Sequence, residues 1–135
     1  MNAIERALRA LFVGALLLVT CGAVQAQVPP YNVIDAPVVT SSQGSLTVDA
    51  VAKAILRSGI RLGWRLEPAG PGAITGTLVL RTHTAVVDIV YDSKTYSIKY
   101  KDSVNLKYNG TTIHKNYNGW IQNLDKAIRA ELVSL

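Results

Sequence analysis

The chain has 135 residues, 49% of them apolar and 17% charged, with fourteen Lys and Arg against nine Asp and Glu, a net charge of +5 at pH 7. That length suits one domain, and that composition excludes a disordered chain, which is poor in apolar residues and rich in charge. A single cysteine, Cys21, excludes a disulfide framework and any site needing two thiolates.

The N-terminus reads as an address. Arg6 and Arg9 stand against Glu5, and Leu11 to Val19 is an apolar run broken only by Gly14. Val24-Gln25-Ala26 then puts small residues at the two positions a signal peptidase reads. The pattern predicts a signal peptide over 1–26, cut before Gln27. The apolar run is shorter than the ~20 residues a transmembrane helix needs. Cleavage there gives a periplasmic or secreted protein without a thiol. A second route is open, because Leu18-Val19-Thr20-Cys21 resembles a lipobox in which only Thr20 departs from the usual Gly, Ala or Ser. Acylation of Cys21 would give a membrane-anchored lipoprotein, each buried methylene contributing ~0.8 kcal/mol.

From Gln27 onward twelve basic residues stand against eight acidic ones, a net charge of +4. With an export signal, that mild excess argues against nucleic acid and for an envelope protein or anionic envelope polymer as partner. Residues 27–44 read as a flexible linker. Val28-Pro29-Pro30 and Ala36-Pro37 are extended by proline, and Ser41-Ser42-Gln43-Gly44 is small and polar. Residues 45–135 are then the single folded domain.

A first helix is predicted over about Leu46 to Ser58. Ser45 or Thr47 would cap it, Val48, Val51, Ala52 and Ile55 would form its apolar face, and Gly59 would be its left-handed end. Arg61 to Glu67 reads as a strand ended by Pro68, followed by a loop at Ala69-Gly70-Pro71-Gly72. Strands follow at Ala73 to Arg81 and His83 to Tyr91, the latter with Ala85, Val87, Ile89 and Tyr91 on one face. After a turn at Asp92-Ser93-Lys94, Thr95 to Lys101 sets Tyr96, Ile98 and Tyr100 against Ser97, Lys99 and Lys101. Asn109-Gly110 signals a hairpin between Leu106-Lys107-Tyr108 and Thr111-Thr112-Ile113, either a small fourth rung or only a tight loop. The last helix should span about Tyr117 to Val133, capped by Asn116 or Asn118, with Tyr117, Ile121, Leu124, Ile128 and Leu132 as its stripe. The expected fold is α+β: an antiparallel sheet of three to four strands with an N-terminal and a C-terminal helix on one face.

Chemistry is sparse. His83 and His114 are far apart in sequence, and no metal-ligand spacing, nucleophile elbow or glycine-rich phosphate loop is present, so no metal site and no cofactor is expected. Asp88 is the best carboxylate candidate, either as an ion-pair partner for Arg81 or Lys99 or, with His83 or His114, as part of a small periplasmic hydrolase or transferase. The remaining constellation is aromatic and basic. Tyr91, Tyr96, Tyr100, Tyr108, Tyr117 and Trp120 interleave with Lys94, Lys99, Lys101, Lys107 and Lys115. Aromatics beside cations suit glycans and anionic polymers, though tyrosines packed under helices give the same pattern. The candidate ligand-binding face is Lys99, Lys101, Tyr108, His114, Tyr117 and Trp120.

Tyr31-Asn32-Val33, Gly63-Trp64, Val86-Val87-Asp88-Ile89, Tyr96-Ser97-Ile98-Lys99-Tyr100, Ser103-Val104-Asn105-Leu106 and Ile113-His114-Lys115-Asn116-Tyr117-Asn118-Gly119-Trp120 carry a resemblance. Together they resemble a group of small, uncharacterised exported proteobacterial proteins, often labelled lipoproteins. The resemblance implies a place in the cell envelope and strengthens the anchor at Cys21; it implies no reaction. The functional expectation is a non-catalytic exported binding or accessory module.

Overall fold

The computed structural model describes residues 26–135. The expected leader, with its lipobox and Cys21, lies outside the described residues except for Ala26. Among the described residues the elements run β1 (Gln27–Val28), β2 (Val33–Pro37), α1 (Val48–Ser58), β3 (Arg65–Pro68), β4 (Ala73–Leu80), β5 (His83–Tyr91), β6 (Thr95–Val104), β7 (Ile113–His114) and α2 (Lys115–Val133). A 3-10 turn at Ile60–Leu62 joins α1 to β3.

Five strands form one antiparallel sheet in the order β2-β6-β5-β4-β3, and β1 pairs separately with β7. The α+β class and the helix-covered antiparallel sheet hold, but the strand number does not: the sheet has five strands, and a two-stranded pair lies beside it. Alternation along β4 and β5 sends Ile74, Leu78, Ala85, Val87 and Ile89 inward, where they meet Val51, Ala54 and Ile55 of α1 and Ile121, Leu124 and Ile128 of α2 in one core. The opposite sheet face carries Thr75, Asp88 and Lys99, and among the described residues both helices pack on the inward face.

The largest correction concerns residues 27–44. Gln27 and Val28 pair with His114 and Ile113, while Val33, Ala36 and Pro37 pair with Ile98, Tyr96 and Thr95. Val33 and Ala36 are core residues. Asparagines fasten the segment further. Asn118 Nδ2 donates to the Pro29 carbonyl at 3.0 Å and its Oδ1 accepts from the Tyr31 N–H at 2.7 Å, while Asn32 Oδ1 accepts from the Tyr100 N–H at 3.0 Å. Proline lacks an N–H to donate, but on an edge strand that costs no ladder bond, so the extended shape it imposes serves pairing as well as it would serve a tether.

Local details shift in the same way. Thr47 caps α1, its Oγ1 accepting from the Ala50 N–H at 3.1 Å. Gly59 is not left-handed; a Cβ there would sit 2.7 Å from Leu66 Cδ1, so close packing demands the glycine. The left-handed residue is Gly63, at the end of the 3-10 turn, with φ of 79°. Arg61 and Leu62 belong to that turn, so β3 begins at Arg65. Of the two expectations for Asn109-Gly110, the tight loop holds and the fourth rung does not. Asn109 Oδ1 accepts from the Thr111 and Thr112 N–H groups at 2.9 and 2.8 Å, and Ile113 pairs with β1 instead. The C-terminal helix starts two residues early, capped by His114 rather than by Asn116 or Asn118.

Candidate functional site

The two histidines, far apart in sequence, meet at one cavity of about 220 Å³ lined by His83, Asn105, Leu106, Lys107, His114, Asn116 and Trp120. Three elements build it: the start of β5, the loop after β6, and the first turns of α2. The loop is anchored by Leu106, which is buried in the core. Its neighbours Asn105 and Lys107 both have left-handed backbones, with φ of 58° and 54°. Asparagine tolerates that region; for lysine it stores of the order of 1 kcal/mol of strain.

Both histidine residues clamp this loop. His83 Nδ1 lies 2.7 Å from the Asn105 carbonyl oxygen, and the His114 N–H donates to the Leu106 carbonyl at 2.9 Å. These bonds fix the imidazole chemistry. A carbonyl only accepts, so His83 carries a proton on Nδ1 and, when neutral, offers Nε2 as an acceptor. His114 Nδ1 accepts from the Asn116 N–H at 3.2 Å, so its neutral ring carries the proton on Nε2 and donates there. The cavity lining thus includes two imidazoles, a lysine, two amides and an indole, and no carboxylate or hydroxyl side chain among the described residues. A lysine and two imidazoles suit an anionic, hydrogen-bonding group.

Trp120 stands 6.5 Å from the His83 ring and borders a second cavity, of about 180 Å³, lined by Leu62, Trp64, Leu78, Leu80 and Asn123 as well. The polar and apolar cavities are neighbours across one indole.

The residues expected to form one binding face are divided. His114 and Trp120 line the polar cavity. Tyr117 is fully buried, its ring edge-on to Tyr100 at 5.7 Å, and its hydroxyl has no hydrogen-bond partner. Burial, and then the neighbouring Tyr100 and Tyr108 rings, hold that hydroxyl well above the usual tyrosine range. Tyr108 covers Tyr100 at 4.1 Å. Lys99 and Lys101 lie on the open sheet face. An irregularity in β6 makes Val87 oppose Tyr100 and Val86 oppose Asp102, leaving Lys101 as the extra residue. Lys101 thereby reaches Asp88, with Nζ 3.2 Å from Oδ1, which neither Arg81 nor Lys99 does.

Asp88 joins neither histidine. Five residues along a strand is about 16 Å at ~3.3 Å per residue, and an odd separation points Asp88 to the face opposite His83. The pairing needed for the hydrolase or transferase alternative is not assembled. Among the described residues no three His, Cys, Asp or Glu side chains form a metal-holding group. No helix among them is long and apolar enough to cross a membrane.

A different carboxylate is buried. Asp125 Oδ1 accepts from the Tyr96 hydroxyl at 2.5 Å and Oδ2 from Arg129 Nε at 3.1 Å. Burial first, then the hydrogen bond to Asp125, raises the Tyr96 hydroxyl far above its usual range. This triad fastens α2 to β6.

Asn105 is a cavity residue that the sequence pattern did not single out, while Lys107 belonged to the aromatic and basic constellation without being placed on the candidate face. One signal for Asn105 existed. Antiparallel pairing folded about the Asp92–Lys94 turn brings residue 83 opposite residues 103–105. Comparison of the chain with family models, with curated proteins and with solved structures finds no match.

Proposed function

We propose that the protein is a non-catalytic exported binding module that takes an anionic group of a cell-envelope component, polymer or protein, in the His83–His114–Trp120 cavity. The observation that carries this reading is the lining itself: a lysine, two imidazoles and an indole, with no carboxylate among the described residues to repel an anion. Lys99 and Lys101 stay on the open sheet face, with Lys101 neutralised by Asp88. The export signal and the resemblance to envelope proteins support the location. The native mass of protein taken from its own cells tests it: a chain from Gln27 supports soluble export, an acylated chain from Cys21 a lipoprotein, and an unprocessed chain from Met1 counts against both.

Titration with inorganic phosphate and with a phosphorylated envelope oligosaccharide, followed by tryptophan fluorescence, tests the binding. Lys107→Glu should weaken both ligands about tenfold or more, the loss of one charge-assisted contact. The double variant Lys99→Glu, Lys101→Glu should leave both unchanged. Binding lost in the double variant and kept in Lys107→Glu would move recognition to the open sheet face and overturn the cavity assignment.

A further inference from the structure

The polar cavity does not stand alone. Leu62 and Leu80, on the rim of its apolar neighbour, are 37% and 41% exposed, although Trp64 and Leu78 beneath them belong to the core. The fold has a covered face for apolar side chains and leaves these two outside it. Trp120 borders both spaces, and among the described residues neither lining contains an acid. A head group held by Lys107 and the imidazoles is therefore next to an apolar recess reached by crossing one indole.

We infer that the natural ligand is an amphiphile, an anionic head group on an aliphatic chain, with the head in the polar cavity and the first part of the chain along Trp120, Leu62 and Leu80. The inference rests on the anion-binding reading above and narrows it. Charge complementarity selects the head, since the lining includes Lys107 and, among the described residues, no negative side chain. Size selects the chain. About 180 Å³ admits a short length of one aliphatic chain, not a folded peptide or a pair of acyl chains. Tryptophan suits the junction, because its ring is apolar while its N–H tolerates a polar neighbour.

Both tryptophans of the chain border the apolar cavity, so intrinsic fluorescence reports its occupancy directly. The full mature chain would be titrated with octyl phosphate below its micelle concentration, with inorganic phosphate and with octanol. The expected result is saturable binding of octyl phosphate at least about tenfold tighter than either fragment, since each half of the ligand adds contacts the other lacks. Leu80→Glu should reduce octyl phosphate to the affinity of inorganic phosphate, and Lys107→Glu to that of octanol. Circular dichroism melts establish that the variants fold; Leu62→Glu, on the same rim, replaces Leu80→Glu if that variant does not. Octyl phosphate bound no more tightly than inorganic phosphate, or unaffected by a charge on the leucine rim, overturns this inference and leaves the anion site standing. Octanol bound as tightly as octyl phosphate, or no binding of any probe, overturns both readings.

Discussion

Replacing Tyr117 by Phe should stabilise the protein. The Tyr117 side chain is fully buried, and its hydroxyl is the buried polar side-chain atom without a partner among the described residues. A buried hydroxyl left unpaired costs about 1–3 kcal/mol. Removing it keeps the edge-on contact with Tyr100 at 5.7 Å, because that contact belongs to the ring. What is lost is the space of one oxygen. At about 24 cal/mol per Å³, a void of roughly 10 Å³ costs about 0.2 kcal/mol. The net expectation is a gain of about 1 kcal/mol, a rise in Tm of roughly 4 °C for a domain of this size. Thermal and urea unfolding of Tyr117→Phe beside the parent chain measure it. Tyr108→Phe is the control, since Tyr108 is exposed and its loss should stay within about 0.5 kcal/mol. An unchanged or lowered Tm for Tyr117→Phe refutes the reasoning and requires a partner for that hydroxyl.

Two further expectations concern the same helix. A double-mutant cycle on Tyr96→Phe and Asp125→Ala should give a coupling energy of about 2 kcal/mol in urea unfolding, as expected for a buried hydrogen bond to a charged acceptor. Arg129→Ala should cost less than about 1 kcal/mol because that side chain is half exposed; additivity of Tyr96 and Asp125 would dismiss the triad as a unit. Stability should also fall in alkali. Tyr96 and Tyr117 are held above their ordinary value in the native state, so between about pH 10 and their native ionisation the unfolded chain releases protons that the folded one keeps. The effect is absent below about pH 9 and is on the order of 1 kcal/mol for each tyrosine at pH 11. In Tyr117→Phe the alkaline fall should be smaller, with Tyr96 and Tyr100, whose hydroxyls burial also raises, still contributing, and an equal fall in both proteins would show that Tyr117 is not among the groups responsible.

The elements with uninterrupted periodicity were legible. The helix over Val48–Ser58, the alternation in His83–Tyr91 and the stripe from Tyr117 to Leu132 follow from spacing alone. The segment from Gln27 to Pro37 was not, because its signals are local and its partners are distant. Prolines and small polar residues describe a mobile tether until His114 and Tyr96 supply strands to pair with. Its alternation is also broken: Asp35 has a φ of 48° at the register shift between Val33 and Ala36, so two core residues fall three apart instead of two. Gly59 misled for a related reason, since a glycine required by a neighbouring leucine looks the same in sequence as one required by a left-handed turn. For the site, the residue types were visible and their convergence was not. His83 and His114 meet through a loop whose left-handed turns fall at an asparagine and a lysine rather than at glycines.

That loop separates a structural role for the histidines from a binding role. Clamping Asn105 and Leu106 accounts for one nitrogen of His83 and for the backbone of His114. It does not account for a lysine held left-handed beside them, nor for two leucines kept half outside the core within reach of the same tryptophan. Other departures lie elsewhere: Asp35 is left-handed at the register shift of the edge strand, Arg81 in the turn before His83, and Ile34, Ile60 and Val104 are exposed apolar side chains. What sets this corner apart is that its left-handed lysine and its two half-exposed leucines border cavities that share one tryptophan. The proposed binding role rests on that juxtaposition, and the clamp holds the corner in shape.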